Sequence, residues 1–125
     1  MEDALFTQGI EYFNAGYFFE AHDAFEELWI DHREADKLFY QGLVQLATGF
    51  YHLMMKNAKG AESQLSKGLQ KLRDYRPTHA EIDVSGLLAG VEICLELVRQ
   101  LPGNGANFSE IYERIPKLKR IAVED

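Results

Sequence analysis

The chain has 125 residues, of which 46% are hydrophobic and 26% charged, and a net charge of −7; this suffices for one core and one domain spanning 1–125. The acidic balance excludes nucleic acid or an anionic membrane as the main partner, because each demands a basic face; the only basic cluster, Lys117, Lys119 and Arg120, is soon followed by Glu124 and Asp125. A single cysteine, Cys94, excludes an internal disulfide and a multi-thiolate zinc site, and no apolar run approaches the roughly 20 residues of a membrane helix. Glu2 and Asp3 stand where a secretory leader would be basic, so a cytoplasmic protein is expected.

Strand signals are nearly absent, and the apolar spacing has helical period almost throughout. The first helix is predicted over about 3–15, with Leu5, Phe6, Gly9, Ile10, Tyr12 and Phe13 on its inner arc. Asn14 reads as a helix-end residue, and Gly16 suits the positive φ of a helix terminus. The second helix, about 18–31, contains "FFEAHDAFEELWIDH". On a helical wheel Phe18, Ala21, Phe25, Leu28 and Trp29 form one apolar group, and Phe19 and Ile30 form another. His22 and Glu26 fall between the two, whereas Glu20, Asp23 and Glu27 point away; Glu20 can cap free amides near Tyr17. The third helix, about 34–56, carries a polar residue at nearly every turn: Gln41, Gln45, Thr48 and His52 lie within roughly a 60° wedge.

"KNAKG" is a turn, and the fourth helix covers about 58–74. "DYRPTHAEID" interrupts it through Pro77. Asp83 is the expected N-cap of a fifth helix, about 84–101, in which Cys94 reads as a small buried residue. "LPGNGAN" ends that helix; its "GNG" lacks the strand–turn–helix setting of a phosphate-binding loop. A short helix near 108–114 precedes Pro116 and a tail, 116–125, expected to fray. His32 and His79 sit in polar segments and are expected in solvent.

Short connections make antiparallel hairpins of helices 1–2 and of helices 3–4. Shifting the first hairpin by about 40 residues aligns Gly9 with Gly49, Tyr12 with His52, Ala21 with Ala61 and Phe25 with Leu65. Small residues facing larger apolar ones resemble the tetratricopeptide pattern, although two copies of this period are not an open solenoid. The expected fold is therefore all-α: a compact bundle of about five helices, built from two such hairpins plus a C-terminal helix.

His22 and Glu26, four residues apart, are neighbours on one helix face. A carboxylate beside an imidazole orients the ring and favours its protonated form, which is the geometry of an acid/base pair and equally of a satisfied core histidine. Buried polar groups are costly unpaired, so the polar stripe of helix 3 is expected to face His22 and Glu26. The contact would be a polar network, or a small pocket lined by Tyr12, Trp29 and Tyr40. His22, Glu26 and His52 offer nitrogen and oxygen to a metal, but neither H-E-x-x-H nor Glu-x-x-His is present, so no metal and no cofactor is expected.

These residues carry a resemblance. Phe13-Asn14, then Glu20-Ala21-His22-Asp23, Glu26 and Trp29, then Gln41-Gly42-Leu43, Gln45, His52, and Gly60-Ala61 resemble the pattern of the domain-of-unknown-function 309 family, small bacterial and archaeal proteins, over about 6–100. The sequence departs from the pattern at Thr48 and Gly49, where small apolar residues are expected. The resemblance implies a compact all-helical fold and no particular reaction. The expected role is a non-enzymatic interaction or self-association module, a homo-oligomer or the binder of a protein partner. The alternative is a small-molecule or metal-binding pocket, an enzyme if His22 acts as general base oriented by Glu26 with Gln41 or Gln45 holding a ligand.

Overall fold

A computed structural model describes residues 4–31, 34–101 and 107–121. His32, the Gly103–Gly105 loop and the acidic end at Glu124 and Asp125 lie outside the described residues. The helices are α1 (Ala4–Ala15), α2 (Phe18–Asp31), α3 (Glu34–Met54), α4 (Ala58–Leu72), α5 (Val84–Arg99) and the short α6 (Phe108–Tyr112), with a 3-10 turn at Arg73–Tyr75 after α4. The all-α expectation holds. No helix among the described residues is long and apolar enough to cross a membrane.

The helix ends follow from local chemistry. Gly16 takes φ +88°, which a side chain would resist, and turns the chain from α1 into α2. Lys56 takes φ +61°, and its amide and those of Met55 and Asn57 bond back to carbonyls of residues 51–53, so α3 ends two residues before the predicted 56. The Asn57 and Asp83 side chains accept from the amides of Gly60 and Gly86 and cap α4 and α5; the second cap is the predicted one.

The core is rich in aromatic rings. Phe13, Phe18 and Phe50 meet with centroids 5.1–5.8 Å apart, and Phe6 contacts Phe25, Phe39 and Tyr40 at 5.7–6.5 Å. Edge-on pairs of this kind add about 0.5–1.5 kcal/mol each to the burial itself. The 40-residue shift between hairpins corresponds to real contacts. A Cβ on Gly9 would lie 2.6 Å from the ring of Phe25, and one on Gly49 would lie 2.7 Å from Leu65. In each hairpin the glycine therefore receives the large residue predicted to face it. Cys94 is fully buried, as expected.

Two expectations fail between α4 and the C-terminal end. "PTHAEID" is not a plain loop: β1 (Thr78–His79) and β2 (Ile82–Asp83) form an antiparallel pair whose two-residue turn puts both Ala80 and Glu81 at positive φ. The tail does not fray within the described residues. It runs beside β2, where the Asp83 amide donates to the Lys119 carbonyl (2.9 Å) and the Ile121 amide to the Glu81 carbonyl (2.7 Å). Leu118 is buried. Asn14, more than a helix-end residue, holds this tail: its amide nitrogen donates to the Leu118 carbonyl (3.0 Å) and its oxygen accepts from the Leu118 amide (2.7 Å).

Candidate functional site

The two residues of Gly16-Tyr17 set α2 back against α1, and α3 then runs beside α2 with the start of one near the end of the other. Buried Phe18, Ala21, Ala24, Phe25 and Leu28 fix the rotation of α2 about its axis. That rotation leaves Phe19, His22, Glu26 and Ile30 along the outer edge of the α2–α3 contact, Phe19 and Ile30 being three turns apart on one face.

Here His22 meets two carboxylates. Its Nδ1 lies 3.1 Å from Asp23 Oδ1, and its Nε2 lies 3.6 Å from Glu26 Oε2. The wheel placed Asp23 away from His22, yet Asp23 makes the shorter contact and Glu26 is the looser partner. Nδ1 is within hydrogen-bond distance of Asp23 only, and Glu26 at 3.6 Å is a charge contact for a protonated ring. The ring also stacks on Phe19 (centroids 6.1 Å apart, planes 26° apart), and Phe19 contacts Tyr51 of α3 at 5.6 Å.

Phe19, His22, Thr48, Tyr51 and His52 enclose a mostly apolar cleft of about 190 Å³. Two members of the α3 polar stripe, Thr48 and His52, therefore do meet His22, as expected. The nature of the contact differs from the expectation. Among the described residues no hydrogen bond joins the α3 stripe to His22 or Glu26. The Thr48 hydroxyl donates to the Val44 carbonyl one turn back (2.8 Å), so its polarity is satisfied within its own helix. His52 Nδ1 faces the Asn57 side-chain nitrogen at 3.3 Å. The Asn57 oxygen is committed to capping α4, which leaves its NH₂ as the donor and makes His52 Nδ1 the acceptor; the ring proton of neutral His52 then sits on Nε2. Gln41 is half-buried, and the Gln45 side-chain oxygen is buried with no hydrogen-bond partner among the described residues. In place of the expected network, Thr48 and His52 are satisfied locally beside an apolar cleft, and the Gln45 oxygen is left without a partner among the described residues.

Nor do Tyr12, Trp29 and Tyr40 line this cleft. Tyr12 packs edge-on against Tyr17 at the α1–α2 turn, Tyr40 is buried against Phe6 and Phe39, and Trp29 lies half-buried against the core. The helical rotation that makes them apolar neighbours of the core also turns them from the outer groove. Among the described residues no group of three His, Cys, Asp or Glu side chains is placed to hold a metal.

The sequence reading missed a second histidine cluster. His79, expected in solvent, is half-buried: its Nε2 lies 2.8 Å from Asp36 Oδ1, and its ring sits between Phe39 and Tyr75, 4.6 and 4.7 Å away. The β1–β2 turn carries it there and ties that segment to the start of α3. A larger depression, about 790 Å³, lies open along the outer face of α5 between Arg76, Glu92, Ile93 and Glu96, and no histidine lines it.

No curated protein matches the chain. The family model described as "Domain of unknown function (DUF309)" matches residues 6–64, a segment that contains most of α1, all of α2 and α3 and the first half of α4 and ends short of the expected 100. It includes Asn14, His22, Glu26, Gln41, Gln45 and His52, and this match supports the resemblance of the chain to the DUF309 family.

Proposed function

We propose that the protein is a non-enzymatic interaction module that docks another protein, or a second copy of itself, through the groove between α2 and α3, in a cytosolic setting. One observation carries this reading. Phe19, Ile30 and Leu38 are 52%, 66% and 53% exposed although they belong to the helices that build the core, and they lie on the groove side of α2 and at the start of α3. Large apolar side chains gathered on one face mark interaction surfaces. The paired hairpins, tetratricopeptide-like in their glycine-to-large-residue contacts, are consistent with a binding scaffold.

The second reading, a small-molecule pocket or an enzyme with His22 and Glu26 as acid/base pair, is favoured by the position of His22 between two carboxylates at a cleft. Size weighs against it. The cleft, at about 190 Å³, falls below the roughly 300–1,000 Å³ of ligand pockets. The cleft walls also lack an activated nucleophile, since Thr48 donates to its own helix.

Two measurements on wild type, Phe19→Asp and Ile30→Asp decide the matter: light scattering across concentrations, and quantitative affinity capture. The expected result is a dimer or a captured protein that both variants lose. A monomer whose capture profile is the same in all three overturns the interaction reading. A compound that stabilises wild type but not His22→Ala supports the pocket instead.

A further inference from the structure

We infer that the α2–α3 groove takes a cationic segment of a partner protein, in which one large apolar side chain enters the cleft at Phe19, His22, Tyr51 and His52 while neighbouring Lys or Arg residues meet the acids of α2. The inference rests on the interaction reading and specifies its partner. The cleft is of a size to hold one side chain and is walled by rings and a methyl group, so it selects an apolar anchor. Charge then selects what flanks the anchor. No Lys or Arg precedes Arg33, whereas eight of the 20 acidic residues do. The first 32 residues thus carry −8 and the remaining 93 carry +1, which together make the net −7.

Two cations of the C-terminal tail reach α1. Lys117 Nζ donates to the Asn14 carbonyl (2.9 Å), and Arg120 donates to Thr7 (2.9 Å) and lies over the Phe6 ring. Among the described residues no Lys or Arg pairs with Glu20, Asp23, Glu26 or Glu27, the four acids on the body of α2. A second copy docked face to face would bring two such acidic hairpins together, and like charges across an interface cost affinity. A cationic segment instead gains steering and flanking ion pairs from the same field.

The test starts from a phage library of random short peptides selected on the full chain, with enriched sequences resynthesised and measured by fluorescence polarisation. The expected peptides carry one aromatic or long aliphatic residue flanked by Lys or Arg. They should bind about tenfold more weakly to Phe19→Ala and to Asp23→Lys, both exposed positions whose change leaves the core intact, and should weaken as salt rises. Neutral or acidic peptides that still require Phe19 overturn the charge assignment and leave the interaction reading standing. No enrichment, or peptides indifferent to Phe19→Ala, overturns the inference, and the interaction reading falls with it only where light scattering also shows a monomer.

Discussion

Asn14 offers the sharpest test of how the tail is held. It makes two hydrogen bonds to the backbone of one residue, Leu118, at 2.7 and 3.0 Å, and thereby pairs with it as a neighbouring strand would. A partly buried hydrogen bond contributes about 0.5–1.5 kcal/mol net, so Asn14→Ala should lose about 2 kcal/mol. The loss is not confined to a loose end, because Leu118 is only 2% exposed and its burial contributes a further ~1.5–3 kcal/mol that depends on the tail staying in place. Asn14→Asp keeps the acceptor for the Leu118 amide but sets an anionic oxygen against the Leu118 carbonyl, and should fall between Ala and wild type. Urea unfolding followed by circular dichroism and by the fluorescence of the single tryptophan, Trp29, gives the global loss. Hydrogen exchange at the Leu118 amide gives the local one. An Asn14→Ala variant within about 0.5 kcal/mol of wild type, with Leu118 exchange unchanged, would mean that Asn14 does not hold the tail.

Three further outcomes follow. Gln45→Met should be neutral or raise stability by about 1 kcal/mol, because it removes a buried oxygen without a partner; a loss above that size in urea unfolding would mean the oxygen is bonded after all. Gly49→Ala should destabilise by about 1–2 kcal/mol despite alanine's helix propensity, since its Cβ meets the buried Leu65 at 2.7 Å and the Leu65 backbone nitrogen at 3.0 Å; adding Leu65→Ala should give non-additive losses in a double-mutant cycle. Burial pushes the Cys94 thiol up from 9.0 to about 11, with Arg114 opposing weakly, so the folded chain keeps a proton that the unfolded chain releases earlier. The stability from this group is intact below pH 9 and is lost as pH rises from 9 toward about 11, where the burial-raised Tyr75 acts in the same direction; Cys94→Ala should flatten that fall in unfolding midpoints.

The features that could be read from the sequence were those governed by local rules. Helix spans follow from apolar periodicity, and Gly16 and Asp83 mark ends because a positive φ and an N-cap need particular residues. The contacts of Gly9 with Phe25 and of Gly49 with Leu65 could be anticipated because the two hairpins repeat one solution to close helix approach. What could not be read depends on residues distant in sequence or on side-chain choice. The β1–β2 turn uses Ala80 and Glu81 where a two-residue hairpin ordinarily signals itself with Asn or Gly, so the strand pair and the packing of His79 on Asp36 gave no local sign. Asn14 and Leu118 are 104 residues apart. In the groove, a wheel places Thr48 and His52 on the correct face but cannot show that one bonds its own helix and the other the cap of α4.

The same geometry bears on where the family's segment ends and the folding unit continues. Residues 6–64 contain the groove but not all of the core beneath it. A Cβ on Gly42, inside the segment, would lie 2.7 Å from Leu72, and Gly49 receives Leu65, the first residue beyond it. Asn14 grips Leu118, and α4 in turn packs on α5. The glycines and the asparagine of the matched segment are therefore complementary to side chains and backbone that the match does not cover. Residues within the match face in two directions. Gly42, Gly49 and Asn14 look inward to α4 and the tail, where they meet specific partners. His22 and His52 border a cleft that opens outward, and their polar contacts among the described residues, to Asp23, Glu26 and Asn57, stay within the match. That difference is the physical reason to seek function at the α2–α3 groove and stability at the contacts with α4 and the tail.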